Sequence, residues 1–384
     1  MELINKIKKL RHKFLIKMYS LAPIKKNKII IWSNSFKSYG CNPKYITEYL
    51  LKERAGVYDI VWVVDATLPI PKGIPGGVRI VKYFSKEYLY ELHTAHFVIC
   101  NARTSDSYHW IKRKGQVYIQ TWHSSLRLKM IEGDAKEYLP ESYINAAKAD
   151  SEKIDYIISG CSFSSNIFKN SFWYNGEIVE CGTPRIDYLL NENRDENLYE
   201  KIGITNEYKY ILYSPTFRDG DFDYNLDFKR LVNICEEKLG GKWKVLYRLH
   251  PNLIFKIKEH KLPEECLDVC RYSDMQELVA VCDMMITDYS SCMFDMMYIK
   301  KPCILYLPDY DNYTSNERKL YFDIKKLPFL LTFKEEEIYK AIDCFDREEH
   351  NKRNELFLNE IGSFEKGTAC IKIAELIDRK REML

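Results

Sequence analysis

A chain of 384 residues with 46% apolar and 14% aromatic residues is too long for one hydrophobic core and rich enough for two, which excludes disorder for most of its length. Basic and acidic residues nearly cancel, 58 against 55 for a net charge of +3, so a surface devoted to nucleic acid is excluded and any basic function must be local. The 12 cysteines are scattered without a CxxC pair, which excludes a disulfide framework and reads as reduced, mostly buried thiols.

Residues 1–27 open the chain with a predicted basic amphipathic helix. Leu3, Ile4, Ile7, Leu10, Phe14, Leu15 and Met18 share one helical face, while Lys6, Lys9, Arg11, His12, Lys13 and Lys17 fall largely elsewhere. Such a helix fits the interface of an anionic membrane, each basic residue near the surface adding about 1 kcal/mol. The alternative is an ordinary surface helix with a solvated basic face. No run approaches the roughly 18 to 20 apolar residues of a membrane span, and no signal-peptide core is present.

Short apolar runs then recur at spacings that leave room for helices: KIIIWS (28–33), DIVWVV (59–64), VRIVKY (78–83), HFVICN (96–101), VYIQTW (117–122) and YIISGC (156–161). Between two of them, NPKYITEYLLKE places Pro43 after Asn42 like a first helical residue after its N-cap. The pattern pauses over a polar linker at about 186–205 and resumes with KYILYSP (209–215), KVLYRLH (244–250), CLDVCRY (266–272), MMITD (284–288) and PCILYLP (302–308). Continuous apolar strands alternating with helices signal parallel sheets covered on both faces. The expectation is α/β: two Rossmann-like domains, 28–190 and 205–384, facing across a cleft lined by the carboxyl ends of their strands. The last segment, GTACIKIAELIDRKREML, has helical periodicity and is a candidate to cross back onto the first half.

Polar and cationic residues gather at those strand ends. His123 closes VYIQTW and is followed by two serines and LRLK, which carries Arg127; His250 closes KVLYRLH, beside Arg248. Arg185 lies in GTPRID, and ILYSPTFRDGD supplies Ser214 and Arg218. Guanidinium groups there offer planar forks suited to phosphate, although Asp219 and Asp221 are close enough to hold Arg218 in a surface ion pair. In MMITDYSSCMFDMMYI a strand ends at Asp288, and Ser290 or Ser291 is placed to cap the next helix, an arrangement suited to an anion. Each alone has a bland reading as core histidine, surface ion pair or simple cap; together they argue for a phosphate-handling site.

These motifs together resemble the CDP-glycerol glycerophosphotransferases, the teichoic acid primases and polymerases of Gram-positive envelopes and related capsule enzymes. The resemblance is carried by SNSFKSYGCNPKYITEYLL, QTWHSSLRLKMIEGD, GCSFSSNIFKNSFWYNGEIVECGTPRIDYLL, ILYSPTFRDG, YRLHPN, ITDYSSCMFDMMYIKKPCILYLPDYDNY and SFEKGTACIKI, in order over most of residues 28–375. It implies the GT-B fold, with transfer of glycerol phosphate, or ribitol phosphate in close relatives, from a CDP-alditol to a lipid-linked saccharide or polyol-phosphate acceptor, CMP being released. It places the expected general base on His123, a donor-pyrophosphate histidine on His250, and an Asp-Tyr-Ser-Ser element on Asp288, Ser290 and Ser291. The family's Gly-Thr-Pro-like continuation after the first histidine is replaced by Ser124, Ser125 and Leu126, which bears on the acceptor more than on the reaction.

The chemistry suits these residues. A histidine with its ordinary value near 6.5 takes the acceptor proton at neutral pH, and CMP leaves without strong help from an acid. Positioned donors are the usual answer to charge in phosphoryl transfer, so neither metal nor cofactor is expected. The expected location is the cytoplasmic face of the cell membrane, as a peripheral protein. Competing readings are a GT-B sugar-nucleotide glycosyltransferase or epimerase and a catalytically decayed membrane-associated binding protein.

Overall fold

Strand runs that alternate their side chains between two covered faces need apolar residues at nearly every position, and the first half of the chain supplies them. The computed structural model describes residues 2–104, 110–191, 196–216, 226–249, 262–311, 313 and 319–384, with side chains from residue 11 onward. The chain divides into two units: residues 1–123, 131–187 and 364–384 form the first, and residues 124–130 and 188–363 the second.

Unit 1 holds seven strands: β1 Lys25–Trp32, β2 Asp59–Val64, β3 Arg79–Lys82, β4 Ala95–Cys100, β5 Val117–Gln120, β6 Tyr156–Ser159 and β7 Glu177–Glu180. They pair in the order β3-β2-β1-β4-β5-β6-β7, every pair parallel. Ile30, Trp32, Val61, Val63, Val98 and Tyr118 fill one face of the sheet. Ile29, Ile31, Ile60, Trp62, Phe97 and Ile119 fill the other, joined by Ile373 and Ile377 from the last helix, Ala369–Glu382. That helix begins against Asp187, whose carboxylate accepts from the amides of Ala369 (3.0 Å) and Cys370 (2.7 Å).

Unit 2 holds six: β8 Lys209–Ser214, β9 Trp243–Tyr247, β10 Cys266–Asp268, β11 Met284–Thr287, β12 Cys303–Tyr306 and β13 Leu330–Thr332. Their order is β10-β9-β8-β11-β12-β13, again all parallel. Both sheets therefore reverse direction of growth beside their first strand, between β1 and β4 and between β8 and β11, the points where open parallel sheets bind ligands. Sequence reasoning had not named β7 or β13. β7 has only two apolar residues, both half-buried at the sheet edge, and β13 is three residues long, so neither offers a run. The strand expected over 266–272 ends at Asp268, whose Oδ1 accepts from the Cys270 amide (2.9 Å) and turns the chain.

The N-terminal helix spans Glu2–Tyr19. Of the expected apolar face Leu15 packs against the unit 1 core, whereas Phe14 and Met18 are exposed; the residue buried in that core is Ile16, which lies outside the expected face, with Tyr19 beside it. Among the described residues no helix is long and apolar enough to cross a membrane.

Two buried histidines are expected to make unit 1 acid-sensitive. His93 and His96 donate Nδ1–H to the carbonyls of Leu89 (2.8 Å) and Lys26 (3.1 Å), and burial lowers the pKa of both below the ordinary 6.5. The unfolded chain then binds more protons below that value, so stability is complete above about pH 6.5 and falls as pH drops through and below it. The melting temperature is expected to fall between about pH 7.5 and about pH 5.5, with a shallower fall in the His93→Gln/His96→Gln variant; an identical slope in the two proteins would rule this out.

Candidate active site

In unit 1 the carboxyl ends of β1, β4 and β5 carry asparagine, asparagine and histidine into one cluster. Asn34 follows β1 and Asn101 follows β4 directly. The Asn34 amide donates to Asn101 Oδ1 (2.8 Å) and Asn101 Nδ2 donates to Asn34 Oδ1 (3.0 Å), so the two strand ends are tied at the reversal point. His123 lies three residues beyond β5, with its side chain exposed. Its Nδ1 donates to the Asn101 carbonyl (3.0 Å). Since a carbonyl only accepts, the neutral ring is held as the Nδ1–H tautomer and Nε2 is its basic nitrogen.

The turn that throws His123 outward is unusual. Trp122 has φ +51°, a left-handed conformation disfavoured for a bulky residue, and it is gripped on both sides. Gln120 Oε1 accepts from the Trp122 amide (3.0 Å), and the Asn42 carboxamide donates to the carbonyls of Thr121 (3.1 Å) and Trp122 (3.0 Å). The indole stacks on the His123 ring at 4.5 Å and meets Phe172 edge-on at 4.9 Å.

Arg185, expected at a phosphate, is buried and donates Nη1–H to the carbonyl of His123, with the Cys41 sulfur 3.7 Å away. It enters the cluster through its backbone as well, its amide donating to Asn42 Oδ1 (3.0 Å). The expectation that Asn42 caps the helix before Pro43 is corrected here: that helix is Cys41–Glu53, its N-cap is Gly40, and the Asn42 side chain is spent on residues 121, 122 and 185.

In unit 2 the same strand-end logic brings Ser214, Thr216 and Asp288 together. Ser214 ends β8 and its carbonyl accepts from Thr287 Oγ1 (2.6 Å); the buried Asp288 carboxylate accepts the Thr216 amide through both oxygens (2.9 and 3.0 Å). Ser290 shares a hydrogen bond with Cys292 Sγ (3.0 Å). Neither serine side chain caps the following helix, contrary to expectation. The helix is Met293–Tyr298 with Cys292 as its N-cap, and the Ser290 and Ser291 carbonyls, not their hydroxyls, accept the amides of Met293 and Phe294 (3.2 Å each).

Residues 124–130 belong to this unit. Leu128 and Met130 exchange backbone bonds with Tyr321 and Lys319 (2.8 Å each). The Leu128 amide reaches Ser291 Oγ at 3.4 Å, and Ser125 Oγ shares a bond with Tyr298 Oη (3.2 Å). Ser125, where the sequence departs from the family pattern, is thus buried and engaged. Arg127 is buried with Nη2 3.4 Å from the Ser124 carbonyl. Arg248 turns toward the backbone, Nη1 donating to the carbonyls of Val269 (3.2 Å) and Tyr272 (2.7 Å), where burial lowers its pKa. His250 and Arg218 lie outside the described residues.

Sequence reasoning missed Asn34, Asn42, Asn101, Gln120 and Thr216. All but Asn42 stand at or just past strand ends, a position that already singled out His123 and Asp288.

Comparison with known proteins places these motifs in context. The family model described as CDP-glycerol:poly(glycerophosphate) glycerophosphotransferase matches residues 14–379. The chain is 31% identical over 95% of its length to the teichoic acid poly(glycerol phosphate) polymerase of Bacillus spizizenii, covering 95% of that protein. It is 30% identical over 97% of its length to the teichoic acid glycerol-phosphate transferase of Staphylococcus aureus, covering 99% of it. Among solved structures, a histidine-to-alanine variant of the wall teichoic acid polymerase TagF superposes with a TM-score of 0.84 at 28% identity, over 100% of this chain and 99% of that one. A TagF variant soaked with CDPG superposes at 0.82 and 27% identity, with the same coverage.

Proposed function

This chain belongs to the CDP-glycerol:poly(glycerophosphate) glycerophosphotransferase family, and from that premise we propose that it transfers glycerol phosphate from CDP-glycerol to a hydroxyl of a lipid-linked acceptor, releasing CMP, in the assembly of a teichoic acid or capsule-type polymer. What carries the reading is the length of the match, which runs through β1 to the last helix and so takes in both sheets rather than one nucleotide-binding half. The finer architecture is a GT-B enzyme in which unit 1 takes the acceptor and unit 2 the CDP-alditol.

In the proposed reaction the acceptor oxygen attacks the phosphorus that bears glycerol. The bond from that phosphorus to the bridging oxygen breaks, CMP departs with its electron pair, and the acceptor proton passes to Nε2 of His123. The hydrogen bond from Nδ1 to the Asn101 carbonyl supports this role, because it leaves the basic nitrogen on the opposite edge of the ring and steadies the imidazolium once formed. Asp288, Ser290, Ser291 and Ser214, with His250 and Arg218, are assigned to the donor. Arg127, Arg185 and Arg248 act mainly by holding backbone around these groups, as their bonds to Ser124, His123, Val269 and Tyr272 support.

The N-terminal helix is assigned to the cytoplasmic face of an anionic membrane, where a lipid-linked acceptor is presented. Phe14 and Met18 are 67% and 43% exposed, with Lys13 and Lys17 exposed beside them, the combination an interfacial helix requires.

The test is CMP release by the purified protein with a lipid-linked disaccharide and either CDP-glycerol or CDP-ribitol, with and without excess EDTA. Release is expected with CDP-glycerol, only when acceptor is present, and at the same rate in EDTA. Faster turnover of CDP-ribitol would reassign the donor, activity lost to EDTA and restored by Mg²⁺ would overturn the metal-free step, and no acceptor-dependent release would overturn the function.

A further inference from the structure

We propose that Asn42 is a positioning residue for His123, an inference that rests on the reading of His123 as the base. Asn42 stands far from the histidine in sequence. It acts on the chain that carries the ring.

The argument begins from how many bonds a buried carboxamide can make. Asn42 is fully buried, and its side chain offers two N–H donors and one carbonyl oxygen. Both donors go to consecutive carbonyls, those of Thr121 and Trp122, and the oxygen takes the amide of Arg185. The first two bonds pin the left-handed turn at Trp122, which joins the end of β5 to His123. The third fixes the start of the helix Pro184–Leu190, and from there the Arg185 guanidinium returns to the His123 carbonyl. One amide side chain thereby sets the backbone on both sides of the Trp122–His123 peptide unit.

A non-glycine residue held at positive φ persists only where its surroundings over-determine it. Here the surroundings are identifiable: Gln120 on the amide of Trp122, Asn42 on its carbonyl, and the stacked rings. Losing the Asn42 donors frees the peptide to relax toward the extended region. The Nδ1 bond to Asn101 would lengthen and Nε2 would move, and a displacement of about 1 Å in a reacting group can cost roughly 100-fold in rate. An aspartate in its place would keep the acceptor for the Arg185 amide but oppose two carbonyls with a carboxylate; a shorter serine would reach one of them at most.

The experiment uses the full-length enzyme with Asn42→Asp and, as a milder second variant, Asn42→Ser. For each, kcat and the KM for CDP-glycerol are measured, together with the ring-nitrogen NMR signals of histidine-labelled protein, His123 being assigned by its absence in His123→Ala. The expected result for Asn42→Asp is a fall in kcat of about 10- to 100-fold, a KM for CDP-glycerol unchanged within about twofold, and a His123 ring no longer fixed as the Nδ1–H tautomer. Asn42→Ser should show the same pattern, less pronounced, and remains readable if the aspartate variant fails to fold. Wild-type kcat, a rise in KM that accounts for the whole loss, or an unaltered His123 signal in the folded variant would each overturn the proposal. The two readings fail separately: full turnover by His123→Ala removes the base, whereas an inactive His123→Ala alongside a fully active Asn42→Asp removes only Asn42.

Discussion

Replacing His123 with alanine is expected to lower transfer by about 100- to 10,000-fold, the usual contribution of a positioned general base, while leaving the affinity for CDP-glycerol within about twofold. The separation follows from where the side chain is held. Every bond described for His123 and its peptide comes from unit 1: the Asn101 carbonyl on Nδ1, the Trp122 ring on its face and Arg185 on its carbonyl. The groups proposed for the donor, Ser214, Asp288, Ser290 and Ser291, are organised by bonds within unit 2. Deleting the imidazole therefore removes a proton acceptor and leaves those groups in place. Calorimetric titration of the variant with CDP-glycerol, beside single-turnover assays with acceptor, reads both quantities. Near-wild-type turnover would remove the assignment, and equal losses of binding and turnover would make His123 a donor-binding residue.

The second large effect is on stability. Arg103→Met is expected to destabilise unit 1 by about 3–5 kcal/mol, because it strips the cation from two buried carboxylates. Arg103 donates to Glu132 Oε2 (3.0 Å) and Asp150 Oδ2 (3.2 Å), and its side chain is 8% exposed against 2% and 0% for theirs. It also bonds Ser151 Oγ (2.8 Å) and the Phe172 carbonyl (3.1 Å) and lies over the Phe172 ring at 3.8 Å. Burial pushes the Asp150 carboxyl up, with Arg103 and Thr104 pulling it back, so without Arg103 the carboxylate is buried and poorly compensated. At about 2–4 °C per kcal/mol for a unit of this size, the melting temperature should drop by roughly 6 to 20 °C. Adding Glu132→Gln and Asp150→Asn should restore part of the loss, since the cost lies in the stranded charges. A single variant that melts within a degree or two of wild type would show that the cluster is solvated. The effect bears on the site too, since Phe172 carries Trp122, which carries the His123 ring.

Much of the fold was legible because buried parallel strands write themselves as apolar runs: DIVWVV became β2 with the expected bounds, and KIIIWS became β1, which begins at Lys25 rather than Lys28 and ends at Trp32. Edge strands escape that signal, which is why EIVE and LLT went unnamed. The candidate site was legible as strand ends. His123, Asp288 and the serines were singled out by position after a run, and the resemblance over residues 28–375 agrees with the family match over 14–379. What the sequence could not show was direction. Arg248 and Arg185 are cations at the expected places, yet their guanidinium groups turn to carbonyls, a choice made by packing rather than by spacing. Asn42 before Pro43 has the spelling of an N-cap, and only the fold reveals that its carboxamide serves residues about 80 and 140 positions away.

The most direct measurement is the mass of the acceptor after incubation of purified protein with CDP-glycerol and a lipid-linked disaccharide. The account predicts growth by whole glycerol phosphate units joined through a phosphodiester, with one CMP released per unit. An acceptor that gains a glycosidic sugar from a sugar nucleotide instead, or that stays unchanged while bound CDP-glycerol remains intact, would contradict it.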